Sequence, residues 1–304
     1  MIHTQSIVLP QVLQLEVTTK CPFNCQQCYK GKVPPVHMDI EQVRQYIQEA
    51  ASLKIKLIVL NGGEPLLYPH IGEVLSELHK QGIEHNLFTS GYNLTEEFVA
   101  NHMRSPFLRV FVSLNGSNKL INDLSRDGWE AAIRAIRLCQ KYRIPTYISW
   151  VARSDNVADF PQLMDFAERN GISKVAVIAN KKTATGVIHS PLSREQFYFL
   201  VDYIKGWPAN RTSIIIEECY TELVLAVYER QSSCFAQRCG CAITANGWFM
   251  NCIHQSPQIR CGSIFEFMCQ RTENKREKCR KCKYSDLCER CIAASDICHL
   301  EECN

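Results

Sequence analysis

The amino-acid sequence predicts an α/β chain in which a parallel sheet curls into a partial, TIM-like (β/α)6 barrel, followed by a small Cys-rich C-terminal domain. Two observations carry this. From residue 12 to about residue 180, short β-branched runs alternate with longer amphipathic stretches, as repeated βα units do. After Gln231 the alternation stops, and the chain turns to Cys, Lys, Arg and short apolar pieces. A barrel core with its bridging region is therefore expected over residues 1–232, and a second domain over residues 233–304.

The units follow in order. Val12 to Thr18 reads as the first strand and Ile40 to Ala51 as its helix; Leu57 to Leu60 and Ile71 to Gln81 form the second pair. His85 to Thr89 leads to Thr95 to Met103, Leu108 to Leu114 to Trp129 to Tyr142, and Pro145 to Val151 to Val157 to Asn170. Lys174 to Ala179 is the sixth strand. A further unit runs from a helix at Ser193 to Lys205 through the strand Ser213 to Ile216, reaching Glu217, Glu218 and Cys219, and a bridging helix near Thr221 to Arg230 follows. In such barrels functional groups gather at the C-terminal strand ends.

At 304 residues, 46% hydrophobic and 21% charged, the chain can bury a large core without a partner. A net charge of +3 sets up no strong field, so nucleic acid is not an expected partner. Met1 to Leu9 lacks a basic region ahead of its short apolar run, and nowhere do about 18 apolar residues follow one another. No membrane contact is expected, and the chain reads as cytoplasmic. Its 17 cysteines are far more than packing needs, and a reducing compartment favours thiolate ligands over disulfides. Three lie at Cys21, Cys25 and Cys28, two are isolated at Cys139 and Cys219, and twelve fall between Cys234 and Cys303.

The first group, Cys21-Pro-Phe-Asn-Cys25-Gln-Gln-Cys28, has the form CxxxCxxC and follows the first strand directly. Three thiolates on one tight loop can hold three irons of a 4Fe-4S cube and leave the fourth iron open. A zinc site completed by His37 or a distant cysteine is the alternative. After the second strand comes Asn61-Gly62-Gly63-Glu64-Pro65, Thr89-Ser90-Gly91 ends the third, and Ser113-Leu114-Asn115-Gly116 ends the fourth.

These residues resemble the radical S-adenosylmethionine superfamily, over roughly residues 12 to 180. The resemblance implies a cluster on Cys21, Cys25 and Cys28 whose open iron chelates the methionine end of S-adenosylmethionine. It implies that Gly62 and Gly63 let the backbone approach that methionine, that Glu64 accepts its ammonium, and that Ser90, Ser113 and Asn115 contact its carboxylate and the ribose. One departure is Gln27, where many members carry an aromatic residue before the third cysteine; here Tyr29 follows it.

The C-terminal pattern runs Cys234, Cys239, Cys241, Gly247-x4-Cys252, then Cys279-x2-Cys282-x5-Cys288-x2-Cys291, with Cys298 and Cys303 behind. This looks like the SPASM (twitch-like) extension of radical enzymes, although the last cysteine of the group usually follows after three residues. By that resemblance Cys234, Cys252 and Cys291, with Cys239 or Cys241, hold one auxiliary 4Fe-4S cluster, and Cys279, Cys282, Cys288 and Cys298 or Cys303 hold a second. A pair of zinc knuckles is the alternative. Between Gln270 and Lys283, seven Lys or Arg stand against two Glu; they offset cluster charge or dock a flavodoxin- or ferredoxin-type electron donor.

The implied chemistry is reductive cleavage of S-adenosylmethionine and removal of a hydrogen atom from a substrate C–H bond. Loss of an electron then gives oxidation or a crosslink, and return of a hydrogen atom on the opposite face gives epimerisation. Cys219, at the end of the last candidate strand, is a candidate hydrogen donor, with Cys241 and Cys261 as competitors, and Glu217 a candidate proton acceptor. Relatives of this kind act on ribosomal peptides, protein side chains and carbohydrate or aminoglycoside-like molecules. Only about twenty residues precede Cys21, so the leader-peptide-binding domain common in peptide maturases is not expected. A modified ribosomal peptide is the first expectation and a small-molecule epimerase or dehydrogenase the second. A non-catalytic zinc or iron-sulfur redox-sensing protein is the reading from another class.

Overall fold

Strand β1 (Val12–Thr18) shows how each barrel strand is built. Leu13, Leu15 and Val17 are fully buried in the core shared with the helices, and alternation leaves Gln14, Glu16 and Thr18 on the opposite, inner face. Burying three such side chains stabilises the strand by about 1.5–3 kcal/mol each. The computed structural model describes residues 9–233, 236, 239–254, 258–271, 284, 287–289, 291, 293 and 298–300.

The same division holds along β2 (Leu57–Gly62), β3 (Glu84–Thr89), β4 (Leu108–Ser113), β5 (Thr146–Ala152), β6 (Lys174–Ala179) and β7 (Ser213–Ile216), which pair in parallel and in chain order. Every expected strand is present to within two residues. Between them run α1 (Ile40–Ser52), α2 (Ile71–Lys80), α3 (Glu96–His102), α4 (Lys119–Asn122), α5 (Trp129–Lys141), α6 (Phe160–Arg169) and α7 (Arg194–Gly206), and α8 (Thr221–Tyr228) follows β7. Side-chain caps set several starts: Asp39 for α1, Thr95 for α3, and a reciprocal Ser193–Gln196 box for α7. The stretch expected as one helix from Val157 opens as a 3-10 turn, Val157–Asp159, with Pro161 in the first turn of α6.

The Cys-rich region joins this sheet. β9 (Cys241–Ile243) pairs in parallel with β1, Leu13 opposite Cys241, and β10 (Phe249–Met250) returns antiparallel to it. The turn between them is closed by Thr244 N–H to Trp248 O at 2.9 Å and Gly247 N–H to Thr244 O at 2.8 Å. Gly247 takes φ 72°, which glycine adopts without cost. The helix Ile264–Gln270 docks on α1, where the Glu49 carboxylate accepts the N–H groups of Ile264 and Phe265 at 2.9 and 3.0 Å. A two-stranded ribbon pairs β8 (Ser232–Ser233) with β11 (Cys288–Glu289). Further on, His299 bonds Glu222 of α8 at 3.0 Å and stacks on Phe197 of α7 at 4.9 Å. The region is thus fastened along β1, on α1, and between α7 and α8.

Candidate active site

At the C-terminal level of the sheet the inner face turns polar. Glu16 of β1 lies beside Asn61 of β2, and Ser113 of β4 beside Ser149 of β5. Ser90, Asn180 and Glu217 directly follow β3, β6 and β7.

The cysteine loop leaves β1 here. Its stem is closed by the hydroxyls of Thr18, to Val36 O at 3.0 Å, and Thr19, to Pro34 O at 2.8 Å. Cys28 N–H donates to Cys25 O at 3.1 Å, making the turn that brings these two cysteines together. The outside of the loop rests on the segment after α4, through Gln26 N–H to Ser125 O at 2.9 Å and Asn24 N–H to Asp127 at 2.8 Å. Cys21 is the most exposed of the three cysteines. Even so, partial burial, and then the charges of Glu64, Cys25 and Cys28, push its thiol up to about 11. Burial also raises Cys25.

Thiols that burial keeps protonated become thiolates when a metal cation compensates them, which is what iron does on binding. Among the described residues, no three His, Cys, Asp or Glu side chains converge tightly enough for a single metal ion. A cube takes each cysteine at a different iron and so tolerates a wider spacing. Three thiolates on one loop are the donor set that a cube with one open iron takes.

The Gly-Gly-Glu segment locks the root of this loop. A Cβ on Gly62 would stand 2.3 Å from Thr18 O, and one on Gly63 2.4 Å from Lys20 O. The close approach these glycines permit is therefore to the end of β1. Gly63 N–H and Glu64 N–H both donate across that gap, to Thr18 O and Lys20 O, each at 2.8 Å. Glu64 itself is 1% exposed. Its carboxylate accepts from Leu66 N–H at 3.1 Å, the Thr89 hydroxyl at 2.6 Å, Ser90 N–H at 2.7 Å and the Ser90 hydroxyl. Burial raises its pKa and those bonds oppose the rise. One carboxylate thus ties the end of β3 to the end of β2.

Ser90 and Ser113 are half-buried at this level. Asn115 is not brought to the open face: it is fully buried, donating to the Ser125 hydroxyl at 2.8 Å and accepting from Val151 N–H at 3.2 Å. It holds Ser125, whose carbonyl holds the cysteine loop.

Sequence reasoning missed Arg153, directly after β5. Its guanidinium is fully buried and donates to Asp155 at 2.6 and 2.9 Å, to Gln26 of the cysteine loop at 2.6 Å, and to Ser190 at 3.1 Å. Among the described residues its Nη1 has no hydrogen-bond partner. The signal in the sequence was an arginine at a strand end whose neighbours end in Ser or Asn. Missed too was His254, whose ring meets that of Tyr29 at 4.3 Å, linking the residue after Cys28 to the residue two after Cys252. The Tyr29 hydroxyl, His254 Nδ1, Glu16 Oε1 and Asn61 Oδ1 are buried without hydrogen-bond partners among the described residues. Lys30 pairs with the other Glu16 oxygen at 2.5 Å. Unpaired buried polar atoms cost about 1–3 kcal/mol each, so this face is built to receive polar groups from a ligand.

A second constellation sits across the mouth. Cys252 and Cys291 pack with Ala236 and Ala293, and Cys219 packs against them. Burial pushes the Cys219 thiol up to about 12, opposed by Lys181 and reinforced by Cys291 and Glu217. Burial raises Glu217, and Lys181 opposes that rise. Cys241 lies apart, in the helix-side core with Leu13. Cys239 and Cys298 are half-buried and Cys288 is buried, its Sγ 3.4 Å from the Thr221 hydroxyl. Cys234, Cys279, Cys282 and Cys303 lie outside the described residues.

The family described as the Radical SAM superfamily matches residues 15–167, half of the chain, from β1 into α6. The chain belongs to this superfamily. As a radical SAM protein it shares 26% identity over 168 residues with the AdoMet-dependent heme synthase of Methanosarcina barkeri, covering 53% of this chain and 48% of that one. It thus spans about half the length of this curated relative. Among solved structures, SuiB of Streptococcus suis bound to its precursor peptide SuiA superposes with a TM-score of 0.74 at 18% identity, over 92% of this chain and 71% of that one. The enzyme anSMEcpe with bound AdoMet and the Kp18Cys peptide gives 0.73 at 17% identity, over 94% and 91%. These likenesses establish the partial-barrel fold together with its Cys-rich extension. Among the described residues no helix is long and apolar enough to cross a membrane.

Proposed function

We propose that this radical SAM enzyme epimerises a residue of a ribosomally made peptide, with Cys219 returning the hydrogen atom. The observation that carries this reading is the placement of Cys219: it follows the last barrel strand and stands with Glu217 and Lys181, next to Cys252 and Cys291. The solved structures with bound SuiA and Kp18Cys peptides support a peptide substrate for this fold.

When bound, S-adenosylmethionine and the reduced cluster supply the one-electron chemistry that removes a hydrogen atom from an unactivated C–H bond. The chain's own residues do the rest. Cys21, Cys25 and Cys28 hold the cluster, and Gly62 and Gly63 keep its loop against β1. Glu64 takes the methionine ammonium as the rotatable Ser90 hydroxyl turns away, and the unpartnered Nη1 of Arg153 takes the carboxylate. Ser113 faces the ribose. Cys219 then donates its hydrogen atom to the opposite face of the substrate radical, and the sulfur radical left behind is restored by one electron and one proton. A flavodoxin- or ferredoxin-type protein is the external electron source.

Residues 233–304 form the auxiliary-cluster domain. Cys234, Cys239, Cys252 and Cys291 hold the first cluster; Cys239 serves in preference to Cys241 because Cys241 is committed to the helix-side core. Cys279, Cys282 and Cys288, with Cys298 or Cys303, hold the second.

The test is incubation in D2O with the short peptides encoded beside the gene. The reading predicts a D-residue carrying one solvent deuterium at Cα, and a Cys219→Ala variant that still forms 5'-deoxyadenosine but makes no epimer. A crosslinked or dehydrogenated peptide would overturn the donor role, and turnover of a carbohydrate in place of the peptide would overturn the substrate class.

A further inference from the structure

The inner wall of the barrel at β1 and β2 gathers the buried atoms Glu16 Oε1, Asn61 Oδ1, the Tyr29 hydroxyl and His254 Nδ1, which have no hydrogen-bond partner among the described residues. Glu16 and Asn61 stand opposite each other in register across the two parallel strands, so their side chains share the inner face on backbones roughly 5 Å apart. Glu16 is fully buried, and its other oxygen takes the Lys30 ammonium at 2.5 Å. Tyr29 precedes Lys30 in the chain, and its ring meets that of His254 edge-on at 4.3 Å. The backbone just before His254 is pinned to the same wall, where Ile253 N–H donates to Gln14 Oε1 at 3.2 Å. These atoms therefore belong to one place, walled by β1 and β2 and closed by the end of the cysteine loop and by the Cys-rich extension.

Each unmet atom carries its desolvation penalty in full, and a group that brings matching donors and acceptors removes it. In the binding mode given above, S-adenosylmethionine is met at the ends of β2 to β5, by Glu64, Ser90, Ser113 and Arg153. The wall of Glu16 and Asn61 is left to the substrate. Its chemistry selects among groups. Lys30 already offsets the Glu16 charge, so a second cation gains little, and a carboxylate would face two acceptor oxygens. A hydroxyl has one hydrogen for those two acceptors. The NH2 of a primary carboxamide has two, one for Glu16 Oε1 and one for Asn61 Oδ1, while its carbonyl accepts from the Tyr29 hydroxyl. His254 steadies the Tyr29 ring and offers Nδ1 to the same group.

We propose that Glu16, Asn61, Tyr29 and His254 form a substrate subsite for the side-chain carboxamide of an Asn or Gln in a peptide. This rests on the reading that the substrate is a peptide, and it names a residue that the peptide carries.

The experiment is equilibrium dialysis of anaerobically reconstituted full-length protein, loaded with S-adenosylmethionine and without reductant, against acetyl-Ala-Gln-Ala-amide, its Asn counterpart, and the same peptide carrying Glu, Lys or Leu. We expect the two carboxamide peptides to bind about tenfold more tightly than the others, and Tyr29→Phe and Asn61→Leu each to erase that preference with iron content and S-adenosylmethionine affinity unchanged. Because the Tyr29 hydroxyl has no partner in the chain itself, Tyr29→Phe should melt no lower than wild type. If Tyr29→Phe loses iron, Asn61→Leu, carried on β2 and not on the cysteine loop, decides. Equal binding of all the peptides, a preference for Glu or Lys, a preference that survives both variants, or S-adenosylmethionine affinity lost with it would overturn the subsite. So would a lower Tm in iron-loaded Tyr29→Phe, the mark of a site for ordered water only. No peptide binding at all would overturn the peptide substrate as well. No turnover is read, so failure of Cys219 as hydrogen donor would leave this result standing.

Discussion

Replacing Glu64 by Gln keeps the shape of the side chain and removes its charge, and the cost follows from its four contacts. One carboxylate oxygen accepts from Leu66 N–H and the Thr89 hydroxyl, the other from Ser90 N–H and the Ser90 hydroxyl. A hydroxyl can rotate to accept from the new amide group, but a backbone N–H cannot. Whichever way the Gln amide is turned, its NH2 therefore faces a buried N–H donor that has lost its acceptor, at a cost of about 1–3 kcal/mol. Relief of carboxylate burial, the main cause of its raised pKa, offsets part of this. The expected net loss is about 1–2 kcal/mol, or roughly 1.5–3 °C in Tm for a chain of this size. The loosened joint between β2 and β3 also weakens S-adenosylmethionine binding. Anaerobic calorimetry of the apo chain reads the first effect and titration calorimetry of the cluster-loaded chain the second. Melting within one degree of wild type, with unchanged S-adenosylmethionine affinity, would refute the reasoning.

Three further outcomes follow from the same geometry. Gly63→Ala places a Cβ 2.4 Å from the Lys20 carbonyl, so it should displace the cysteine loop and lose about four irons on reconstitution while the auxiliary clusters stay, as iron analysis and absorbance would show. Arg153→Lys keeps the charge but not the fork that spans Asp155, Gln26 and the open Nη1; S-adenosylmethionine should bind at least tenfold more weakly by calorimetry, with iron content unchanged. Burial pushes the fully enclosed Cys139 thiol up to about 11 from an ordinary 9. Because the folded value is the higher one, this stability is whole below pH 9 and is lost as the pH rises towards 11, by about 2 kcal/mol. Denaturant melts of wild type and Cys139→Ala at pH 8 and pH 10.5 should show the gap between them narrowing at the higher pH.

The barrel was legible because each strand buries one face against helices, and the resulting alternation marks its residues almost to the end. The short α4 was not, since four residues cannot display a helical period. Nor was the pairing of β9 with β1, a contact more than 220 residues apart in sequence that is set by backbone geometry and carries no local pattern. At the site, the positions of Cys21, Cys25, Cys28 and Glu64 just after β1 and β2 were readable from the strand pattern. The function of the two glycines was only half readable: resemblance pointed to a ligand, whereas the crowding they relieve is against Thr18 and Lys20. Asn115 stood at a strand end like a ligand contact but is spent on holding Ser125. Arg153 went unread because a cation at a strand end usually faces water, and only its enclosure shows otherwise.

The measurement closest to the central claim is anaerobic reconstitution with iron and sulfide, followed by iron counting and a chromatographic assay for 5'-deoxyadenosine in the presence of dithionite and S-adenosylmethionine. The account predicts about twelve irons per chain, 5'-deoxyadenosine formed by wild type, and none formed by Cys28→Ala with about eight irons retained. Zinc in place of iron, with S-adenosylmethionine left intact, would contradict it and leave a zinc-stabilised binding protein.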